Sequence, residues 1–264
     1  MADRYRDYPC LLSHPYWIRY SVSDDNNQAN NVQMPQDAMI HNSKAIEKPM
    51  LFSRDPVRGI LDGTKTQSRR IVKDQPVLVN GKWEWRPGKL LYSEWNVGWN
   101  PITLAFKDFL ENGHAPHPIG SRIWVKETWQ MWCHSFDSVG IEYPAGGDGK
   151  IITFSGNSRM PSLEDQLRKG KNGMNILRPS IHMPRWASRI DLEVTNVRLE
   201  WLNDISEEDA IAEGVTIKQD ARIAAHVCGD TPARMEYWHL WESINGKGSW
   251  ERNPLVFAYT FKRI

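Results

Sequence analysis

The short segment from Gly63 to Arg70 carries the side chains best suited to chemistry in this sequence. It contains a lysine, two hydroxyls and two arginines: Lys65, Thr66, Ser68, Arg69 and Arg70. A lysine three residues from a serine can take the proton of that hydroxyl and make it a nucleophile. The same cations and hydroxyls can instead hold a phosphate, or form a solvated basic turn. The pattern alone leaves these three uses open.

A predicted short helix positions this segment. Asp55 is expected to be the capping carboxylate and Pro56 the first helical residue, where its missing N–H costs nothing. Gly63 is a typical helix stop, after which residues 65–70 are expected to begin as a loop and enter an edge strand. A phosphate-binding P-loop is excluded because its first glycine is missing and the motif follows a helix instead of opening one.

Composition limits the classes of partner and cofactor. The 33 Lys and Arg nearly balance the 32 Asp and Glu, so nucleic-acid binding requires a local basic face, for which residues 54–73 and 159–189 are candidates. The 13 tryptophans include rings that can stack on bases, although most are expected in the core. Neither His114-x-x-His117 nor Cys133-His134 completes a tetrahedral set, so no metal or other cofactor is predicted.

The compartment follows from the cysteines and from hydropathy. Three widely separated cysteines argue against a disulfide framework and for a reducing environment. The sequence has neither an apolar run near 18 residues nor a signal-peptide pattern. We therefore expect a cytoplasmic protein with no membrane contact.

The chain is predicted to contain a polar, flexible extension over residues 1–47 and a folded domain over 48–264. That domain carries loop-rich insertions at about 74–119 and 133–175. Short apolar segments predict strands at 50–52 and 123–125, and a weak strand is predicted at 150–154. Nearly alternating apolar residues predict strands at 190–199 and 255–261. A capping box at Ser206 and a Thr231-Pro232 start predict two helices between the last strands. Strands and short helices without a βαβ rhythm indicate an α+β fold, a small mixed β-barrel with flanking helices.

Four segments together resemble the ASCH family, whose members share a PUA-like β-barrel: Ile60–Arg70, Gly120–Trp129, Pro179–Val215 and Trp241–Ile264. The first is similar to the family's helix–Gly–x–Lys–Thr–x–Ser/Thr–x–Arg signature, and the second to its Gly-(Asp/Ser)-Arg-(Leu/Ile)-Trp-Val strand. The chain from about residue 48 onward is similar to ASCH proteins of phages and prophages. Those proteins also carry the blocks at 178–186 and 243–250.

Small bacterial members similar in these motifs are amidohydrolases that remove the acetyl group from N4-acetylcytidine. By motif position, the resemblance implies Lys65 as the base, Ser68 as the nucleophile and Glu213 as the group that orients the lysine or protonates the leaving amine. Serine replaces the family's threonine here, which preserves a hydroxyl nucleophile.

Further residues are expected to contact the substrate: Thr66, Arg69, Arg70, Glu127, His182 and Arg185. A guanidinium offers forked donors suited to phosphate, although a surface ion pair is the default role of any single arginine. Glu127, at a strand end, either faces the pocket or pairs with an arginine. His182 either binds substrate or makes structural hydrogen bonds.

Three functions remain open at this level. The first is recognition of a nucleoside or an RNA or DNA base in an ASCH cleft, with amidohydrolase activity on N4-acylated cytidine. The second is a non-catalytic nucleic-acid-binding module. The third is a phage-encoded protein that binds a host factor through its tryptophan-rich insertions, in the cytoplasm of a bacterial host. Whether the protein is an enzyme is not decided by its residues.

Overall fold

The computed structural model describes residues 46–79, 82–85, 109–110, 114–135, 138–153 and 176–264. The predicted N-terminal extension, except for its last two residues, lies outside the described residues. Much of both predicted insertions does too.

Ten strands and four α-helices are found in the described residues. The strands are β1 (Glu47–Leu51), β2 (Gln67–Ile71), β3 (Val77–Val79), β4 (Lys82–Glu84), β5 (Arg122–Lys126), β6 (Gln130–Ser135), β7 (Ser138–Glu142), β8 (Lys150–Thr153), β9 (Asp191–Trp201) and β10 (Leu255–Arg263). The helices are α1 (Arg54–Leu61), α2 (Glu207–Ala212), α3 (Gln219–Cys228) and α4 (Pro232–Asn245). The largest sheet has the strand order β1-β5-β9-β10-β2, beside a β6-β7-β8 sheet and a β3-β4 pair. Sheets and helices together confirm the α+β class, and because no closed barrel is found among the described strands, the barrel stays a prediction.

The chain divides into two compact units. Unit 1 contains the described residues within 66–118 and 196–260. Unit 2 contains those within 42–65, 119–195 and 261–264. Strands β9 and β10 each have residues in both units.

In unit 1, β2 pairs antiparallel with β10, from Gln67 opposite Thr260 to Ile71 opposite Val256. The core beside this pair contains large apolar side chains of the 202–205 turn, of α4, of the turn that follows α4 and of β10: Leu202, Ile205, Met235, Trp238, Trp241, Trp250 and Val256. Burial of each such side chain stabilises the fold by about 1.5–3 kcal/mol. This core holds the α2–α4 segment next to the strand that carries Ser68 and Arg69.

In unit 2, β1 runs parallel to β5, and β5 pairs antiparallel with the first part of β9. The antiparallel sheet β6-β7-β8 packs its inner face on a separate core that includes Trp129, Met131, Ile141 and Met183. The sequence predicted only a weak strand at 150–154 in this region. The structure has three strands, the last of which is Lys150–Thr153.

The predicted cap of the first helix is wrong. The helix begins at Arg54 with Ser53 as N-cap, and the exposed Asp55 lies inside the first turn, where it pairs with Arg58 at 3.6 Å. Pro56 is the third residue of the helix and is tolerated in this first turn because the first N–H groups have no intrahelical partner.

The predicted starts of the two later helices are confirmed. The Ser206 hydroxyl accepts a hydrogen bond from the Asp209 N–H at 3.1 Å, which confirms the cap of α2. Pro232 is the first residue of α4, as predicted. In the described residues, no helix combines the length and the apolar character needed to cross a membrane.

Candidate functional site

Strand β2 sorts the residues of the signature segment onto two faces. Successive side chains of a strand alternate, so residues 67 and 69 share one face and residues 68 and 70 share the other. Ser68 is the direct partner of Tyr259 across the antiparallel pair, and Arg69 is the partner of Ala258. Both Ser68 and Arg69 are buried.

Arg69 is the centre of a buried ion-pair network in unit 1. Its Nε and Nη2 donate to Oε1 of Glu200 at 2.7 and 2.6 Å, and Nη2 also donates to Oδ2 of Asp209 at 2.9 Å. Its Nη1 donates to Oε1 of Glu213 at 3.1 Å. The side chain of Arg69 has no exposed surface. Three carboxylates therefore engage the forked donors that the sequence assigned to substrate, and substrate contact by Arg69 stays a prediction that this geometry disfavours.

A second arginine completes the network. Arg198 donates to Oε2 of Glu200 at 3.3 Å and to Oδ2 of Asp209. Oδ1 of Asp209 accepts from the Gln67 amide at 2.8 Å. Glu200 and Asp209 thus bridge both arginines, and the negative charge of the cluster is largely balanced within it.

The electrostatics of Arg69 favour a permanently charged guanidinium. Burial alone lowers its pKa, but electrostatic interactions with Glu200, Glu213, Tyr237 and Asp209 outweigh burial, so the pKa lies above its ordinary value. The guanidinium also lies over the ring of Tyr237, 5.9 Å from its centroid. A permanent charge in this position keeps Glu213 in a fixed orientation.

Glu213 is the C-cap of α2 and is only 4% exposed. The preceding residue, Ala212, accepts a hydrogen bond from the Thr66 N–H at 2.8 Å. The signature segment and the helix end are thus joined in unit 1 by a backbone hydrogen bond and by the Arg69–Glu213 ion pair. These are two of the four segments that carry the family resemblance.

The other face of β2 carries Ser68 and Arg70. On this face, Ser68 lies opposite Tyr259 of β10. Burial lowers the pKa of Arg70, against the opposing electrostatic interactions with Glu213, Tyr237 and Tyr259. Burial raises the pKa of both tyrosines, so their phenols stay neutral and can donate hydrogen bonds at physiological pH. Tyr259 also packs edge-on against His117, with ring centroids 5.4 Å apart.

The remaining predicted site residues lie in unit 2. Lys65 is 5% exposed, and its backbone N–H donates to the Gly59 carbonyl at 2.9 Å. Glu127 accepts from Nε and Nη2 of Arg189 at 2.9 and 3.0 Å, so the alternative of an arginine partner is the one observed.

Two of these residues lie at the surface of unit 2. Arg185 pairs with Glu47 and Asp191. His182 is exposed at the end of a single 3₁₀ turn. Substrate contact by either residue stays a prediction.

The structure therefore brings Arg69 and Glu213 into contact and adds partners that sequence reasoning missed. These are Glu200, Asp209, Arg198 and Tyr237. The signal available in the sequence was an arginine at an inward-facing strand position, because a buried guanidinium requires carboxylate partners. In the part of the chain that the structure describes, no cluster of three or more His, Cys, Asp or Glu could hold a metal ion.

Comparison of the chain with family models, curated proteins and solved structures finds no match.

Proposed function

We propose that the buried polar cluster of unit 1 recognises a nucleoside or a nucleic-acid base, with hydrolysis of the acyl amide of N4-acylated cytidine as its reaction. The observation that supports this most is the joining of the signature segment to Glu213, through the Thr66–Ala212 hydrogen bond and the Arg69–Glu213 ion pair. The same proposal takes the five-stranded sheet as part of a PUA-like barrel.

The proposed chemistry uses the roles implied by the ASCH resemblance. The Ser68 hydroxyl attacks the acyl carbonyl carbon while Lys65 takes its proton. The C–N bond breaks, the N4 nitrogen receives a proton, and cytidine leaves. Water then hydrolyses the acyl-serine, which releases the carboxylic acid and restores the hydroxyl. Glu213 either orients the lysine or supplies the proton to the leaving nitrogen.

The test is incubation of the full chain with N4-acetylcytidine and chromatographic detection of cytidine. Lys65→Ala, Ser68→Ala and Glu213→Gln should each abolish product formation. Lys247→Ala and Ser243→Ala, both at exposed positions, are the matched controls and should retain it. Wild-type protein that is inert on a panel of acylated nucleosides, or a fully active Ser68→Ala variant, would refute the hydrolase proposal.

A second candidate is a non-catalytic nucleic-acid-binding module. It is favoured by the burial of Ser68, which exposes only 5% of its surface and so offers little access to a substrate. This function predicts binding of RNA or DNA that weakens steeply with rising salt through counterion release, with no cytidine formed. Turnover of a free nucleoside should depend much less on salt.

A further inference from the structure

The face of β2 that carries Ser68 and Arg70 is covered by other parts of unit 1. The direct partners of these two residues on β10 are Tyr259 and Phe257, and paired residues of antiparallel strands share a face. Ser68 is 5% exposed, and both aromatic partners are buried as well. The side chains that lie on this face therefore decide whether a substrate can reach the Ser68 hydroxyl.

Three aromatic side chains from the described part of the first insertion cover this face. His117 packs edge-on against Tyr259, and Phe109 stacks on Phe257 with ring centroids 6.2 Å apart. Trp85 packs in turn against Phe109, with ring centroids 5.0 Å apart. Each of the two β10 aromatics is thus in contact with one ring of the insertion. We call these three insertion side chains the aromatic cover.

The segment around His117 lies on the sheet without being part of it. Residues 114–118 belong to neither a helix nor a strand, so no strand ladder ties them to β10. Ala115 and His117 are buried, whereas His114 is exposed. The His114 N–H donates to the Phe109 carbonyl at 3.2 Å, which joins this segment to the second ring of the cover. A segment held without a strand ladder opens at a lower free-energy cost than the paired strands beneath it.

We propose that the aromatic cover is a lid that regulates access to Ser68, and that a nucleoside enters only when Phe109 and His117 move off β10. The inference rests on the proposed function for its ligand and on the ring contacts for its geometry. A closed lid explains why a side chain assigned a nucleophilic role is almost wholly buried. Lids of this kind exclude bulk water during a reaction, and their opening limits the turnover of many enzymes.

The test measures access to position 68 and does not depend on hydrolysis. In the full chain carrying Ser68→Cys, the rate of alkylation by iodoacetamide is followed by mass spectrometry of the peptide that contains this position. Alkylation should be on the order of a hundredfold slower than in the same protein unfolded in urea, because the thiol reacts only in the open state. Alkylation of the natural Cys228, which is not part of the lid, is the internal control in every sample.

Two substitutions should loosen the lid. Phe109→Ala and His117→Ala each remove one ring contact with β10, so each should speed alkylation of Ser68→Cys on the order of tenfold. Met235→Ala is the matched control, because Met235 is buried in the core around α4 and is not part of the lid. This control should lower stability in urea unfolding and leave the alkylation rate at position 68 unchanged.

Two results would overturn the lid: alkylation as fast in the folded protein as in urea, or a rate that neither lid substitution raises. An equal increase with Met235→Ala would also overturn it, since the thiol would then report a general loosening of unit 1. Incubation of the wild-type protein with N4-acetylcytidine separates the two proposals. If the lid variants behave as expected and the wild-type protein is inert on acylated nucleosides, the lid stands and the hydrolase proposal fails.

Discussion

Arg69 and Ala258 are direct partners across the β2–β10 pair, and the small alanine lets the arginine side chain cross β10 to Glu200 on β9. Paired residues of antiparallel strands share a face, so any larger side chain at position 258 occupies the path of the guanidinium. Ala258 is 2% exposed, so a larger side chain at this position would also be buried beside the guanidinium. We therefore expect the buried ion-pair network to depend on a small side chain at position 258.

We predict that Ala258→Leu destabilises the protein by about 1–3 kcal/mol, the usual cost of overpacking a core, with an added cost if the ion pairs break. Urea unfolding followed by circular dichroism measures the change. Val256 is a buried residue of the same strand face, and Val256→Leu is the matched control for added bulk. Equal losses for the two variants would show that Arg69 does not depend on the size of residue 258.

Replacement of Arg69 itself should be among the most costly single changes in unit 1. Arg69→Met leaves Glu200, Asp209 and Glu213 without the guanidinium that binds all three, and removal of one partner of a buried ion pair typically costs about 3–5 kcal/mol. Arg198→Met removes a partly exposed arginine that contacts only two of these carboxylates, so its cost should be clearly smaller. Because the network is buried, the difference between the variants should change little with added salt. Equal stability losses would contradict the central role of Arg69.

The last strand was predictable from the sequence. The alternation of residues 255–261 predicted a closing strand, and the structure has Leu255–Arg263, although residues 255–259 are buried on both faces of that strand. Helix α3 was missed by the sequence analysis. Its buried positions are Ala221 and Ala225, whereas its larger apolar residues Ile223 and Val227 are exposed, so large apolar side chains do not mark its buried face.

The partners of Arg69 were not predictable from local pattern. Its three carboxylates lie 131, 140 and 144 residues away in the chain. Charged residues at such separations meet only through the tertiary fold, and each is by default a solvated surface group. Glu213 was selected through resemblance to a family motif, whereas Glu200 carries no motif and Asp209 belongs only to the predicted capping box at Ser206.

The pair formed by Trp132 and Gly140 can be tested by a double-mutant cycle. Gly140→Ala adds a methyl group where the indole lies, 2.1 Å from its nearest atom, and we expect a loss of about 1–3 kcal/mol as the ring is displaced. In Trp132→Leu the smaller side chain leaves room for that methyl group. The double variant should therefore be more stable than the sum of the single losses predicts. Additive losses in urea unfolding would show that the ring does not cover the glycine in solution.

Glu127 should produce a pH dependence of stability that is opposite in sign to that of an ordinary ion-paired carboxylate. Burial is the largest influence on this 2% exposed side chain, and it raises the pKa of Glu127 despite the hydrogen bonds and the charge of Arg189. With a raised pKa in the folded state, the folded protein keeps a proton that the unfolded chain has already released. The free energy of unfolding contributed by Glu127 therefore falls as pH rises from the ordinary glutamate range through the raised value.

The measurement is the free energy of unfolding of wild type minus that of Glu127→Gln, from urea titrations at a series of pH values. This difference should be most favourable to wild type at the acidic end of the window and should decline as pH rises. The same series for Glu208→Gln supplies the baseline for an exposed glutamate. A difference that grows with pH would mean that Arg189 outweighs burial and that the pKa of Glu127 is lowered in the folded state.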